Sequence, residues 1–235
     1  MSITLAEIKE QARQRADMED STFVREPELT SYINSSIAEL HDLLIAAYNE
    51  EYFMEEVEFA ASSSLTYPLP NGTNFSGAPQ MYKLRGVDVK RGIGADWATV
   101  KRFNFNRRNE QEVGNVLAAF GLPYLEYRLT GSSIRFNRTP DSGLSFRIFY
   151  YPVATKLVAD TDVFDDINGF AEYVVVDAAI KMLNKEESDV QVLMVQKEAL
   201  RKRIEGMAKD RDVNEPESVS DVYAEETDWT LTGKY

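Results

Sequence analysis

Apolar residues recur every three or four positions at both ends of the chain and every second position in its middle, and this change of period divides the sequence. Near the start, Thr4 followed by Glu7 has the spacing of a capping box, opening a short helix whose apolar stripe is Leu5, Ile8 and Ala12. Asp17–Asp20 ends it. Pro27 suits the first turn of a second helix. There Leu29, Ile33, Ile37, Leu40, Leu44 and Ala47 step by three and four to about Asn49, giving one buried face. After Pro152 the helical period returns. Asp165, Asp166 and Asn168 sit where a helix begins, and Phe170, Val174, Ala178 and Leu183 continue the stripe. The pattern weakens over Asn184–Asp189, and Val192, Val195, Leu200, Ile204 and Met207 resume it, as one long helix or as two joined at Lys185–Asp189. Leu40 and Leu44 are expected to pack against the helix around Val174–Leu183, because both segments carry one stripe and flank the middle of the chain.

Residues 51–151 read differently. Seventeen of the 26 aromatic residues lie here, with most of the Gly and Pro. Tyr52–Ala60, Ser64–Leu69, Met81–Lys90 and Trp97–Phe103 have strand character. Asn104–Phe120 reads as a helical interruption, with Val113, Val116 and Leu117 at helical spacing. Tyr124–Thr130 and Ser133–Phe136 flank a Gly131-Ser132 turn and predict a hairpin. In Leu144–Tyr150, Leu144, Phe146, Ile148 and Tyr150 alternate with Ser145, Arg147 and Phe149, as in a half-buried strand. The fold class that follows is α+β. A helical bundle core is expected from residues 1–50 and 152–211, with a β-rich insert at 51–151 and an extended acidic C-terminal arm at 212–235.

That arm holds seven acids (Asp212, Glu215, Glu217, Asp221, Glu225, Glu226, Asp228) and one base, Lys234. Its large side chains are too scattered for an amphipathic face, so it cannot offset its own chain entropy by burial. A solvating tail has little use for Tyr223, Trp229 and Tyr235. Those three read as anchors of an arm that orders on a partner, against the plainer reading of a frayed solubility tail.

The net charge of −13 argues against general affinity for nucleic acid, since phosphate contacts need concentrated Lys and Arg. The charge is uneven, however. Lys83 to Arg108 holds eight bases and two acids. Lys101, Arg102, Arg107 and Arg108 are therefore expected to contact acidic groups of another copy or a partner rather than DNA. There is no Cys, which excludes disulfides and thiolate chemistry. Met1–Asp20 is charged and lacks an apolar h-region, which predicts synthesis in the cytoplasm, and no apolar run approaches membrane-spanning length.

Motifs for chemistry are sparse. The one histidine, His41, lies mid-helix beside the apolar stripe, where a packed or solvent-edge role outweighs a catalytic one. One His without Cys leaves no His/Cys metal cage and no pattern for a nucleophilic triad. No phosphate-binding or dinucleotide-binding glycine loop is present, and Gly92-x-Gly94 alone is a turn. Asp160–Asp166 has some carboxylates of a calcium loop but the wrong spacing, with Phe164 in a ligand slot, so helix capping is the better account. Neither Glu55-Glu56 nor Glu186-Glu187 is singled out as a pair facing across a substrate. No enzymatic activity, cofactor or metal is expected.

Several stretches together resemble one family. They are Arg15–Phe23 (RADMEDSTF), Leu29–Leu40 (LTSYINSSIAEL), Trp97–Asn109 (WATVKRFNFNRRN), Phe149–Ala154 (FYYPVA), Glu172–Val176 (EYVVV), Lys185–Asp189 (KEESD) and Arg211-Asp212. The chain resembles head-to-tail adaptor (connector) proteins of tailed double-stranded DNA bacteriophages over nearly its whole length. The β-rich insert is larger than the minimal helical adaptor has. The resemblance implies a virion protein at the head–tail junction, forming a homo-oligomeric ring, usually of twelve copies, beneath the portal. Helices would form the ring wall, the carboxyl arm would reach the portal, and tail or nozzle proteins would dock on the far side. DNA would pass through without specific binding, and no membrane is involved. The competing reading is a β-rich tail or surface recognition protein of a virion, in which Trp97, Phe103 and Phe105 would be exposed to a ligand.

Overall fold

The computed structural model describes residues 2–47, 53–92, 94–104, 106 and 125–208. All of the expected helix at 104–120 except Asn104 and Asn106, together with Phe105, Arg107 and Arg108, and the whole arm with Tyr223, Trp229 and Tyr235, lie outside the described residues.

The chain is α+β. It begins with strand β1 (Ser2–Thr4), helix α1 (Leu5–Arg15) and helix α2 (Glu26–Ala47). Eight strands follow: β2 (Glu55–Ala60), β3 (Thr66–Pro68), β4 (Met81–Arg91), β5 (Ala98–Thr99), β6 (Lys101–Arg102), β7 (Glu126–Thr130), β8 (Ser133–Phe136) and β9 (Leu144–Pro152). A further strand β10 (Val163–Asp165) precedes helices α3 (Ala171–Glu186) and α4 (Gln191–Ala208).

The capping box opens α1 as expected. The Thr4 hydroxyl accepts the Glu7 amide at 3.3 Å, and the Glu7 carboxylate accepts the Thr4 amide at 2.8 Å. Hydrogen bonds from the Thr4 amide and hydroxyl hold the Glu7 carboxyl below the usual range. Thr4 also belongs to β1, which pairs antiparallel with β10 across a sequence gap of more than a hundred residues. This ribbon was not anticipated, because three-residue strands leave no readable period.

Four helices among the described residues share one core. Leu5, Ile8 and Ala12 of α1 meet Leu29, Ile33, Ile37, Leu40 and Leu44 of α2, and both meet Val174, Val175, Ala178, Ala179 and Met182 of α3. Leu40 and Leu44 are thus buried in the cluster that holds α3, as their spacing predicted. Residues 187–190 separate α3 from α4, so the last helical stretch is two helices. Glu187 takes a left-handed conformation (φ 62°) that ends α3, and the Asp189 carboxylate accepts the Gln191 amide at 2.9 Å.

The phase of α4 differs from the expectation. Ile204 is buried and Leu193 and Leu200 are partly buried, whereas Val192 is 79% exposed, Val195 72% and Met207 58%. A polar tie, described below, turns the helix so that Lys197 faces inward.

The middle of the chain forms two four-stranded sheets, a larger one with longer strands, ordered β2-β9-β4-β5, and a smaller one, ordered β3-β8-β7-β6. All their pairings are antiparallel except β6 with β7. The sheets face each other across a second core. Phe146 of β9 stacks on Phe136 of β8 with ring centroids 4.5 Å apart, and Tyr67 of β3 packs on both. The alternation in β9 is as read, with Leu144, Phe146, Ile148 and Tyr150 all buried. The Tyr150 hydroxyl is buried without a hydrogen-bond partner among the described residues, and burial raises its pKa.

Trp97–Phe103 is not one strand. Ala98–Thr99 pairs with β4 in one sheet and Lys101–Arg102 pairs with β7 in the other. The crossing is at Val100, which is buried and donates its amide to the Val87 carbonyl at 2.8 Å. A buried valine inside an exposed basic run is what lets one short segment serve both sheets.

Candidate partner-binding surfaces

Asp177 lies on the buried side of α3, 3% exposed, and joins three helices. Its carboxylate accepts hydrogen bonds from Lys181 Nζ, Lys197 Nζ and Ser36 Oγ, each at 2.6 Å. Glu39 accepts from the same two lysines at 3.0 and 3.1 Å. Burial alone would raise the Asp177 pKa, but hydrogen bonds from Lys181, Lys197 and Ser36 outweigh it and lower it. Lys197 is pushed well up: desolvation opposes its charge, and hydrogen bonds to Asp177 and Glu39 overcome that. A carboxylate with three donors and a depressed pKa is a poor proton acceptor, so the cluster reads as a structural lock rather than as general-base machinery.

His41 is half-buried against Phe53, ring centroids 5.0 Å apart, with Tyr82 at 6.5 Å, and burial lowers its pKa. It lines an apolar groove of about 240 Å³ with Ile37, Leu40, Leu44, Phe53 and Val153. The aspartates of 160–166 serve local structure. Asp162 accepts the amides of Val158 and Ala159, which lowers its pKa, Asp166 accepts the Ala171 amide at the head of α3, and Asp160 pairs with Lys9 at 2.7 Å. Among the described residues no group of His, Cys, Asp and Glu could hold a metal ion, and no helix is long and apolar enough to cross a membrane.

The bases of residues 83–108 divide by sheet. On the larger sheet each base named here has an acid. Lys83 lies 3.6 Å from Asp42, Lys90 3.8 Å from Glu58, and Arg91 2.9 Å from Asp141. Arg147 of β9 pairs with Glu58 and Glu56, which raises its pKa. Trp97 is half-buried between Lys90 and Arg147, whose charged groups lie 4.2 and 4.3 Å from its ring. The Trp97 ring is thus covered rather than presented to a ligand.

Lys101 and Arg102, on β6 of the smaller sheet, are exposed and have no ion-pair partner among the described residues. The hairpin brings further bases beside them. Arg128 of β7 and Arg135 of β8 are register partners, and Lys101 is the register partner of Glu126. Phe103 is half-buried, with the Arg128 guanidinium 5.5 Å from its ring. Arg102, Phe103, Arg128, Leu129 and Thr130 line a shallow depression. Sequence reasoning singled out Lys101 and Arg102 but passed over Arg128 and Arg135. The signal was available, because a two-residue hairpin turn fixes the register that sets these arginines side by side.

Two packed cores carry exposed charged and apolar faces, surfaces of the kind through which a protein contacts other chains. A family model described as SU10 adaptor protein matches residues 3–220, and the chain belongs to that family. No curated protein matches the chain. The role that goes with the family is that of a bacteriophage adaptor, a structural and non-enzymatic component of the phage particle.

Proposed function

We propose that this chain is the head-to-tail adaptor of a tailed phage, forming a ring between portal and tail through which the genome passes. The observation that carries the reading is the family match, which runs from residue 3 to residue 220 and so takes in the helices, both sheets and the start of the arm. The helical parts, 1–50 and 152–211, would form the ring wall, with twelve copies in the ring. The sheets of 51–151 would face neighbouring proteins. The arm, 212–235, would lie along a neighbouring copy or the portal, with Tyr223, Trp229 and Tyr235 as anchors, since rigid aromatics give large contact area at low entropy cost. Tail or nozzle proteins would dock on the opposite side. Lys101, Arg102, Arg107 and Arg108 would meet acidic groups of another copy. A chain of net charge −13 suits a conduit that repels passing phosphate.

The test is to mix the purified chain with its portal protein and image the product by negative stain. A stoichiometric ring complex is expected. Chains that stay apart from the portal at micromolar concentration would refute the reading.

A further inference from the structure

The two faces of the smaller sheet differ in kind. Tyr67, Ile134 and Phe136 point into the core, and Tyr127 and Leu129 are register partners of Phe136 and Ile134. Strand alternation therefore puts Arg128 and Arg135 on the opposite face, and Lys101 joins them through its register with Glu126. That face carries three bases (Lys101, Arg128, Arg135) and one acid, Glu126, whereas Arg102 is the register partner of Tyr127 and falls on the other side. Like charges directly opposite on neighbouring strands destabilise a sheet. Arg128 and Arg135 are such a pair, and neither has an ion-pair partner among the described residues. Lys83, Lys90, Arg91 and Arg147 of the larger sheet pair with acids of their own chain, whereas Lys101, Arg128 and Arg135 have no such pair among the described residues. In a chain of 39 acids and 26 bases, a basic face without an ion pair among the described residues is suited to an anionic partner.

We propose that the outer face of the smaller sheet is the seat of the acidic stretch 212–228 of the arm of a second copy. The proposal rests on the reading of this chain as one that assembles with copies of itself. Charge complementarity names the occupant. All seven acids of the arm fall within 212–228, which holds no base. A chain laid extended across a face turns residues of one parity toward it, and Glu215, Glu217, Asp221 and Glu225 share a parity. Beyond α4, which ends at Ala208, 27 residues remain, an extended reach of roughly 90 Å. That length leaves Trp229–Tyr235 free to continue to the portal once the acids are seated. Arginine forks match carboxylates in two-point contacts, so the seat also fixes register.

Zero-length carbodiimide cross-linking tests this on the full chain, prepared as an equal mixture of ¹⁴N and ¹⁵N protein, with and without the portal. Lys101 should link to carboxylates of 212–228, and a large share of the linked peptide pairs should be of mixed isotope. Raising salt from 0.05 to 0.5 M should reduce those links at least tenfold, as should Arg128→Glu with Arg135→Glu. Arg128→Lys with Arg135→Lys keeps the charge, and should preserve the Lys101 links and add new ones from both positions. Links confined to one isotope would place the arm on its own copy and overturn the proposal. Links absent in both preparations would overturn it too, as would duplex binding at physiological salt that the reversal variant loses. A portal ring that forms without mixed links would refute this seat alone and leave the adaptor reading standing.

Discussion

Replacing Asp177 by Asn tests how α3 holds its neighbours, because the substitution keeps the volume and removes the charge. In the native chain the carboxylate meets two lysine ammonium groups and a serine hydroxyl at 2.6 Å while 3% exposed. Removing one partner of a buried ion pair costs about 3–5 kcal/mol, mostly because the remaining charge is left uncompensated. Here the orphaned groups are Lys181 and Lys197, whose side chains are 23% and 27% exposed and still share Glu39. Water and Glu39 therefore recover part of the loss, and about 3 kcal/mol is expected, the low end of that range. In a protein of this size that corresponds to a fall in melting temperature of roughly 6–12 °C. Urea unfolding of Asp177→Asn, Lys197→Met and the double variant gives the coupling between the two positions. The pH profile is a second readout. The folded Asp177 pKa is lowered, so the unfolded chain binds more protons in the acid range. The stability it contributes is present above the unfolded value, near pH 4, and is lost as pH falls through the folded value. Asp177→Asn should lack that acid-dependent part. A loss below 0.5 kcal/mol with an unchanged acid profile would show that the cluster holds nothing together.

Leu44→Ala should cost about 2–5 kcal/mol by urea unfolding, nearer the low end because Leu44 borders the groove and leaves a less enclosed cavity. Tyr150→Phe should leave stability unchanged or raise it by about 1 kcal/mol, because the lost hydroxyl has no partner among the described residues. Charge reversal of Lys101, Arg102, Arg107 and Arg108 should weaken assembly, measured by light scattering, most strongly at low salt. Deleting 212–235 should leave thermal unfolding of the free chain almost unchanged and abolish attachment to the portal, measured by co-sedimentation.

What could be read from sequence followed the strength of the local signal. Thr4 with Glu7 marked the start of α1, the three-and-four steps from Leu29 to Ala47 marked the buried side of α2, and strict alternation marked β9. Each signal is carried by consecutive turns or pleats and needs no knowledge of the partner element. The β1–β10 ribbon joins Ser2–Thr4 to Val163–Asp165, and neither strand is long enough to show a period. The split of Trp97–Phe103 between two sheets depends on one buried residue, Val100, in a run whose residues suit either sheet.

The phase of α4 shows why an apolar period can point the wrong way. Val192, Val195 and Met207 made a plausible stripe with Leu200 and Ile204, yet the helix presents Leu193, Lys197, Leu200 and Ile204 to its neighbours. A period scored by hydrophobicity gives lysine no place on a buried face. Asp177, however, is a charge in an otherwise apolar stretch of α3, and a buried carboxylate requires a cation. Among the nearby cations, Lys181 is four residues along the same helix and satisfies one oxygen, and only a residue from another element can satisfy the other. That demand turns Lys197 inward and moves Val192 and Val195 outward. The exposed valines on α4 are thus a consequence of one buried acid, and they leave an apolar ridge on the same protein whose smaller sheet leaves a basic face. Neither surface is resolved within the chain's own described residues, as expected of a protein whose family role is to join others.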